Sequence, residues 1–264
     1  MQALKVVLGL FVLVAIAALA VAVAFPDRLG DYLPFMRSGP GQGGPAFVLK
    51  VEPDGVELSQ AVADSIKVIE RRFYDLAGLA ARARVEPEGT DRILVTLAPR
   101  SDAKRLIEVA TRRGRLEFRL VDESMTPQDA LRLGPPANSE VLYGRDDKAP
   151  YLVDKHAVIT TRDLADAQAG FDPRTNEPVL NFKFNVAGAR KFARITQENV
   201  GHAFAIVIDS AVISAPVIRE PILGGSGQIS GNFTVQSASD LAVLLRSGEL
   251  PGRLTVVEER APAP

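Results

Sequence analysis

The hydrophobic pattern begins with an apolar run near the N-terminus. Residues 6–25 contain no charged or strongly polar side chain. A helix of about 20 residues spans roughly 30 Å, the thickness of the hydrocarbon core of a bilayer. We therefore expect a transmembrane anchor over residues 1–27, with Lys5 on the cytoplasmic side and the bulk of the chain outside the cytoplasm. A cleaved signal peptide is the alternative, since residues 22–24 have an Ala-x-Ala pattern, although its apolar region would be shorter.

A first folded unit is predicted after a linker rich in proline and glycine at residues 28–45. The predicted strands are residues 46–51, 83–85, 92–97 and 115–121, and the predicted helices are residues 59–76 and 102–112. Ser59 and Ser101 are the predicted N-caps, and Gly78 ends the first helix. This order of elements over residues 46–121 predicts a ferredoxin-like base, in which two helices pack on a four-stranded antiparallel sheet.

The core-facing side of each predicted helix follows from its apolar spacing. In the first helix, steps of three or four residues form one stripe of Val62, Ile66, Ile69, Phe73 and Leu76. In the second, the inward positions are Leu106, Ile107, Val109 and Ala110. The same pattern therefore predicts both the helices and the face that each one buries.

A second α+β unit, the head, is predicted at residues 151–260, between an irregular connection at residues 122–150 and a tail at residues 261–264. Its predicted helices are residues 163–169, 186–200 and 236–246, and its predicted strands are residues 179–184, 203–208, 211–214, 228–230 and 254–257. Asn185 and Thr234 are the predicted N-caps. The predicted fold class is α+β, with an N-terminal transmembrane helix.

Charge and composition narrow the function classes. The 31 basic and 32 acidic side chains nearly cancel, which does not favour a nucleic-acid partner, since such proteins carry a basic excess. The absence of cysteine excludes disulfides, thiolate metal sites and a cysteine nucleophile. The two histidines, His156 and His202, are far apart, whereas a metal site needs several ligands at short spacing. We therefore expect no metal, no cofactor and no enzymatic activity.

Glycines cluster near the C-terminal end of the predicted head, in the sequence LGGSGQISG. This sequence lacks the Gly-Lys-Ser/Thr ending of a phosphate-binding loop and the spacing of a dinucleotide-binding motif. It predicts a mobile loop with backbone positions of positive φ. Upstream, Pro216 and Pro221 flank Val-Ile-Arg-Glu and are expected to fix an extended connection.

Several motifs together resemble the first periplasmic domain of SecD, a membrane protein family that assists Sec-dependent protein export. They include LEFRLV at residues 116–121, TQENVG at residues 196–201 and nearly the whole of residues 203–260. Glu70-Arg71-Arg72 resembles the arginine-bearing helix of that domain. The resemblance extends from about residue 48 to residue 260, which is nearly all of the predicted extracytoplasmic part.

The resemblance implies a non-catalytic accessory in protein export, in the bacterial inner membrane with most of the chain in the periplasm. The implied partners are unfolded secretory polypeptide and Sec components, namely the SecYEG translocon or SecD and SecF. The glycine-rich segment would contact polypeptide, because exposed backbone groups can pair with an extended chain whatever its sequence. The candidate contact residues are Pro216, Pro221, Gly224, Gly225, Gly227 and Gly231.

Two departures from the family pattern keep alternatives open. Only Gly43-Gly44 remains of a glycine-rich motif that leads into the first strand of the family, and the membrane helices that follow the first periplasmic domain in the family are expected to be missing here. We therefore expect no proton path within this chain. One alternative is an inert or split amino-terminal half of SecD that needs a partner chain. The other is a periplasmic enzyme or ligand-binding protein that reuses the fold.

Overall fold

The computed structural model describes residues 44–77, 83–99 and 101–261. The predicted anchor, most of the predicted linker and the predicted helix end at Gly78 lie outside the described residues. Among the helices that are described, none combines the length and the hydropathy needed to cross a membrane.

A four-stranded antiparallel sheet forms the base. Its elements along the chain are β1 (Ala46–Pro53), α1 (Leu58–Ala77), β2 (Arg84–Glu88), β3 (Arg92–Thr96), α2 (Ala103–Thr111) and, far downstream, β13 (Gly252–Arg260). The strand order is β13-β1-β3-β2, and all neighbouring strands are antiparallel. This is the split βαβ order of a ferredoxin-like fold, as predicted, and its core contains the predicted apolar stripe of α1.

The strand that completes the base differs from the prediction. Residues 115–121 were expected to close this sheet and residues 254–257 to close the head, but β13 pairs with β1 along its whole length, from Ala46↔Arg260 to Pro53↔Gly252. Both segments alternate like strands, and a local pattern does not specify the partner of a strand. We therefore define the base as residues 44–112 and 252–261, and the head as residues 116–247, inserted between α2 and β13.

The head contains two sheets and three helices. Its first elements are β4 (Leu116–Leu120), α3 (Pro127–Leu133), β5 (Ser139–Gly144), β6 (Pro150–Asp154), β7 (Ile159–Thr160), β8 (Leu164–Phe171) and β9 (Pro178–Phe184). They are followed by α4 (Val186–Glu198), β10 (Phe204–Ile208), β11 (Ala211–Ser214), β12 (Ser226–Ile229) and α5 (Val235–Ser247). One sheet has the order β6-β5-β11-β10-β4-β7, and the other has the order β12-β9-β8.

Two predictions for the head are wrong. Residues 122–150 are not irregular, since Thr126 caps α3, Pro127 occupies its first turn and β5 follows. The polar composition of this segment favoured an irregular interpretation, although Thr126 followed by Pro127 is typical of a helix start. Residues 163–169 are not a helix, because β8 pairs with β9 after a short 3-10 turn. Cross-strand pairing, which no local pattern shows, decides the conformation there.

Helix N-termini show which capping predictions hold. Asn185 and Thr234 accept hydrogen bonds from the backbone of Gly188 (2.9 Å) and Ser237 (3.0 Å), as predicted. Ser101 does not cap α2, because Asp102 accepts from the Arg105 amide at 3.2 Å. Ser59 likewise lies inside α1, where its hydroxyl donates to Glu57 one residue before the helix. In both cases the N-cap is a neighbouring carboxylate residue instead, Asp102 for α2 and Glu57 for α1.

Candidate functional site

Five phenylalanine rings form the centre of the head. Phe118 of β4 has ring centroids 5.5–5.7 Å from four others, which come from β9, α4 and β10: Phe182, Phe184, Phe192 and Phe204. Three of these pairs are edge-to-face, and one is stacked. Such pairs add about 0.5–1.5 kcal/mol each beyond area burial. The cluster is therefore a rigid aromatic layer made from both sheets and a helix.

A groove of about 340 Å³ opens onto this aromatic layer. Its floor consists of Phe118, Phe182, Phe192, Phe204 and Ile206, and its walls consist of Pro216, Val217, Ile218, Arg219, Glu220, Ile222, Ser226, Gly227 and Gln228. The floor is apolar, whereas the rim carries one positive and one negative charge, at Arg219 and Glu220. A larger concavity, of about 730 Å³ beside α1 and α5, is lined mainly by charged side chains and has no comparable apolar floor.

The first wall of the groove is held extended by backbone hydrogen bonds. The Pro216 carbonyl accepts from Phe204 at 3.1 Å, and Ile218 exchanges bonds with residues 201 and 202 at 2.8 and 2.9 Å. The Ile222 amide donates to the Thr196 hydroxyl at 2.9 Å. Pro216 therefore begins an extended segment, as predicted, and both ends of that segment are fixed to the head.

The second wall is β12, which overlaps the predicted strand at residues 228–230 but begins at Ser226, inside the predicted glycine-rich loop. Gly227 lies in this strand opposite Phe182, and a Cβ there would be 2.6 Å from the ring. Gly225 precedes the strand with φ +62°, and its Cβ would be 2.5 Å from the Cβ of Ala189. Glycine is required at both positions, because one touches an aromatic ring and the other has a left-handed backbone.

The remaining candidate residues lie apart from the groove lining. Gly224 is exposed, and a Cβ there would meet only Ser226, at 4.0 Å. Pro221 is also exposed and adjoins Ile222 of the wall. Gly231 lies beside Phe233 and Arg145, whose guanidinium covers the Phe233 ring at 4.6 Å. The structure thus brings only Pro216 and Gly227 into the groove lining.

One edge of β12 is available for pairing. The strand bonds to β9 and is the outermost strand of its sheet, so no second strand flanks it within the described residues. Edge strands present unpaired amide and carbonyl groups to any extended chain. Beside the groove, the head therefore offers both an apolar pocket and backbone hydrogen-bonding groups.

A carboxylate in the β8–β9 turn holds Gln228 of β12. The Gln228 side chain donates to Asp172 at 2.8 Å, and the amides of Arg174 and Thr175 also donate to that carboxylate. These hydrogen bonds lower the pKa of Asp172 to about 2. Asp172 therefore stays ionised and ties one wall of the groove to the neighbouring turn.

The aromatic floor was missed from the sequence, although its signals are present. Phe182 and Phe184 occupy alternate positions of VLNFKF, and Phe118 is the central residue of a strongly alternating strand. Alternation shows that a residue is buried but not what it contacts. No group of three or more potential metal ligands is found among the residues that the structure describes.

Comparisons with known proteins give consistent results. The family profile described as the SecDF P1 head subdomain matches residues 139–252. The protein translocase subunit SecD of Acetobacter pasteurianus is 38% identical over 248 residues, covering 92% of this chain and 46% of that protein. The protein translocase subunit SecDF of Brucella abortus is 36% identical over 238 residues, covering 89% of this chain and 31% of that protein. The chain thus spans less than half the length of these relatives.

Solved structures agree with the sequence comparisons. A crystal structure of SecDF in a super-membrane-facing form has a TM-score of 0.68 and 32% identity, over 96% of this chain and 35% of that one. A structure titled as a membrane component SecDF that enhances protein export has a TM-score of 0.65 and 35% identity, over 82% of this chain and 99% of that one. Together these matches show that the chain belongs to the SecD family.

Proposed function

We propose that the head binds an extended, unfolded segment of polypeptide, and that the chain is a non-catalytic accessory in Sec-dependent protein export. The observation that carries the proposal is the phenylalanine-floored groove beside the free edge of β12. An unfolded chain exposes apolar side chains and unpaired backbone groups. The apolar floor of the groove can accept such side chains, and the free edge of β12 can pair with such backbone groups.

The proposed binding mode is strand addition. The backbone of the bound segment pairs with the outer edge of β12, and every second side chain turns toward the aromatic floor. Backbone pairing is the same for any sequence, so only the residue in the groove is selected, and any apolar side chain suffices. This tolerance suits a protein that handles many different exported chains.

The export role and the cellular partners rest on family membership. Relatives are named protein translocase subunits, and one similar structure is titled as a component that enhances protein export. The proposal accordingly includes unfolded secretory polypeptide and the Sec components SecYEG, SecD and SecF as partners. It also includes a membrane anchor, with the head on the periplasmic side of the inner membrane.

The decisive test is photocrosslinking in cells from Val217, whose side chain is 55% exposed at the groove wall. A photoreactive residue replaces Val217 in the full chain while a defined secretory precursor is arrested during export. The matched control places the same residue at Val257 of β13, which is 48% exposed in the base. Crosslinks to the precursor from position 217 alone support the proposal, and equal yields from both positions contradict it.

Affinity for a defined peptide provides a second test. Val217→Asp places a charge at the groove wall without removing a buried contact, and Val257→Asp makes the same change far from it. An extended apolar peptide carrying a fluorophore is expected to lose affinity for the first variant only, because its apolar side chain would approach an unpaired carboxylate. Unchanged anisotropy curves for both variants would exclude binding in the groove.

A further inference from the structure

The first wall of the groove has an edge whose backbone groups are unpaired. This wall runs antiparallel to the residues that lead into β10, with Val217 opposite Ala203. The hydrogen bonds between the two come from Pro216 and Ile218, the neighbours of Val217 on either side. Successive residues of an extended chain direct their backbone groups to opposite edges. The amide and carbonyl of Val217 therefore face away from β10, and neither has a hydrogen-bond partner among the residues that the structure describes.

The second wall, β12, has a matching edge. Phe184 of β9 donates to the Gly225 carbonyl at 2.8 Å, which sets the alternation of hydrogen bonds along the strand. Gly225 and Gly227 direct their backbone groups toward β9. Ser226 and Gln228 therefore direct theirs to the outer edge, where the described part of the chain places no further strand.

Both of these edges belong to the lining of the same groove. Val217 lines one side, Ser226 and Gln228 line the other, and the phenylalanine floor completes the lining. Amide hydrogens and carbonyl oxygens carry opposite partial charges, and each wall presents both kinds of group unpaired. One extended backbone has the same two kinds of group on each of its edges. The two walls are therefore complementary to a single strand that lies between them.

The charges at the groove favour the same occupant. Arg219 and Glu220 carry opposite charges at the rim, so the lining has no net charge. A charged ligand would lie over aromatic rings that offer no counter-charge, and its desolvation would be costly. The Gln228 side chain is already engaged, since it donates to Asp172 at 2.8 Å. A neutral segment with apolar side chains and a free backbone therefore matches the lining best.

We propose that the groove binds polypeptide by strand insertion, in which one extended segment pairs with Val217 on one side and with β12 on the other. Every second side chain of the segment turns toward the phenylalanine floor. The inserted strand connects the β12-β9-β8 sheet to the first wall and, through that wall, to the start of β10. The inference rests on the proposed function and deepens it, because strand addition to β12 alone does not use Val217.

Pairing on both edges narrows the class of segment that the groove accepts. In addition to one strand, every second amide of the bound segment faces away from that strand, so proline is tolerated at those positions. In insertion both edges are paired, and a proline at any paired position removes a hydrogen bond. Because β12 has four residues, the favoured segments are extended stretches of about four residues that lack proline and are apolar at alternate positions.

Amide hydrogen exchange in the full chain, measured with and without bound peptide, tests the insertion. The probe is a threonine-rich peptide with one central leucine, added until binding is saturated. The amides of Val217 and Ser226 are expected to exchange more slowly in the complex. The control is Val186, an exposed first residue of α4 outside the groove lining, whose amide exchange should not change.

The possible outcomes distinguish the insertion from the proposed function. Slower exchange at Ser226 without slower exchange at Val217 overturns the insertion and leaves strand addition to β12 in place. No change at either amide in the saturated complex, or no binding of the peptide, overturns the insertion together with the proposed function. Slower exchange at both amides supports the insertion.

A pair of variants at the first wall provides an independent test. Val217→Pro removes an amide that has no partner in the free chain, and it should weaken peptide binding about fivefold. Val217→Ala is the matched control, because it shortens the side chain and keeps the amide. Equal affinities of the two folded variants overturn the insertion.

If Val217→Pro does not fold, single N-methyl groups along the peptide replace the variant, since each removes one amide donor of the bound segment. Loss of affinity at consecutive positions around the leucine supports the insertion. Loss at every second position only, or at none, overturns it.

Discussion

The groove in the head and the junction around Arg72 lie in one molecule but use opposite chemistry. At the junction, where α1 of the base meets the ends of α2 and α5, the buried guanidinium of Arg72 donates to the carbonyls of Val109 in α2 and of Gly248 just after α5. At the groove, aromatic rings border an opening, and the adjacent strand has a free edge. The junction satisfies its polar groups within the chain, whereas the groove leaves apolar and polar groups for a partner. We therefore expect the Arg72 contacts to serve stability and the groove to serve binding.

Removing the central ring of the groove floor has the largest expected effect. Phe118→Ala deletes the ring that touches four others, and a Phe→Ala change in a core costs about 3–5 kcal/mol. Urea unfolding should show a lower midpoint, and the folded fraction should bind the apolar peptide more weakly. Phe171→Ala, at a ring 54% exposed on β8, should change stability by less than about 0.5 kcal/mol. Similar losses in the two variants would show that the aromatic layer is not a packed unit.

Arg72→Met is expected to destabilise the protein by about 3 kcal/mol, because it leaves several buried carbonyls without donors. Peptide affinity in the folded protein should remain close to that of the parent, because Arg72 is not part of the groove lining. Arg71→Met, at the exposed neighbouring position, should stay within about 0.5 kcal/mol. Urea unfolding and peptide anisotropy measure the two quantities separately. A large loss of peptide affinity without unfolding would contradict the expectation that Arg72 affects stability and not binding.

The sequence predicts the inside of each element better than the partners of each element. The stripe of α1, the buried side of α2 and the caps Asn185 and Thr234 follow from local spacing, and the structure confirms them. Pairing of β13 with β1 joins residues about 200 positions apart, so no local signal could favour it over β4.

The same limit applies to the groove. Pro216 and Gly227 were found from proline and glycine positions, since these residues restrict or free the backbone wherever they occur. The phenylalanine floor forms only where β4, β9, α4 and β10 pack together, and a local sequence pattern does not specify such tertiary contacts. The partners of Arg72 are mostly backbone carbonyls. Because every residue has a backbone carbonyl, the sequence does not show which of them accept these hydrogen bonds.

A third prediction concerns the glycine that leads into β12. Gly225→Ala introduces a side chain at φ +62° and places its Cβ 2.5 Å from that of Ala189, so we expect a loss of about 2 kcal/mol. Gly224→Ala is the matched control, because its Cβ meets only Ser226 at 4.0 Å. Thermal unfolding of both variants measures the contrast. An equal effect at the two positions would contradict the close packing of Gly225 against Ala189. The position of β12 beside the groove would then be in conflict with the experiment.

The smallest expected effect is a pH dependence confined to the Asp172–Gln228 contact. The pKa of Asp172 is lowered from 3.8 to about 2 by hydrogen bonds from Gln228 and from the amides of residues 174 and 175. Because the folded-state pKa is depressed, its contribution to stability is present above pH 3.8 and is lost as the pH falls toward 2. The difference in urea midpoint between the parent chain and Asp172→Asn should therefore be constant at higher pH and shrink through this window. A difference that stays constant down to pH 2, or that grows on acidification, would show that the carboxylate does not hold this wall. The groove would then depend on its aromatic floor alone.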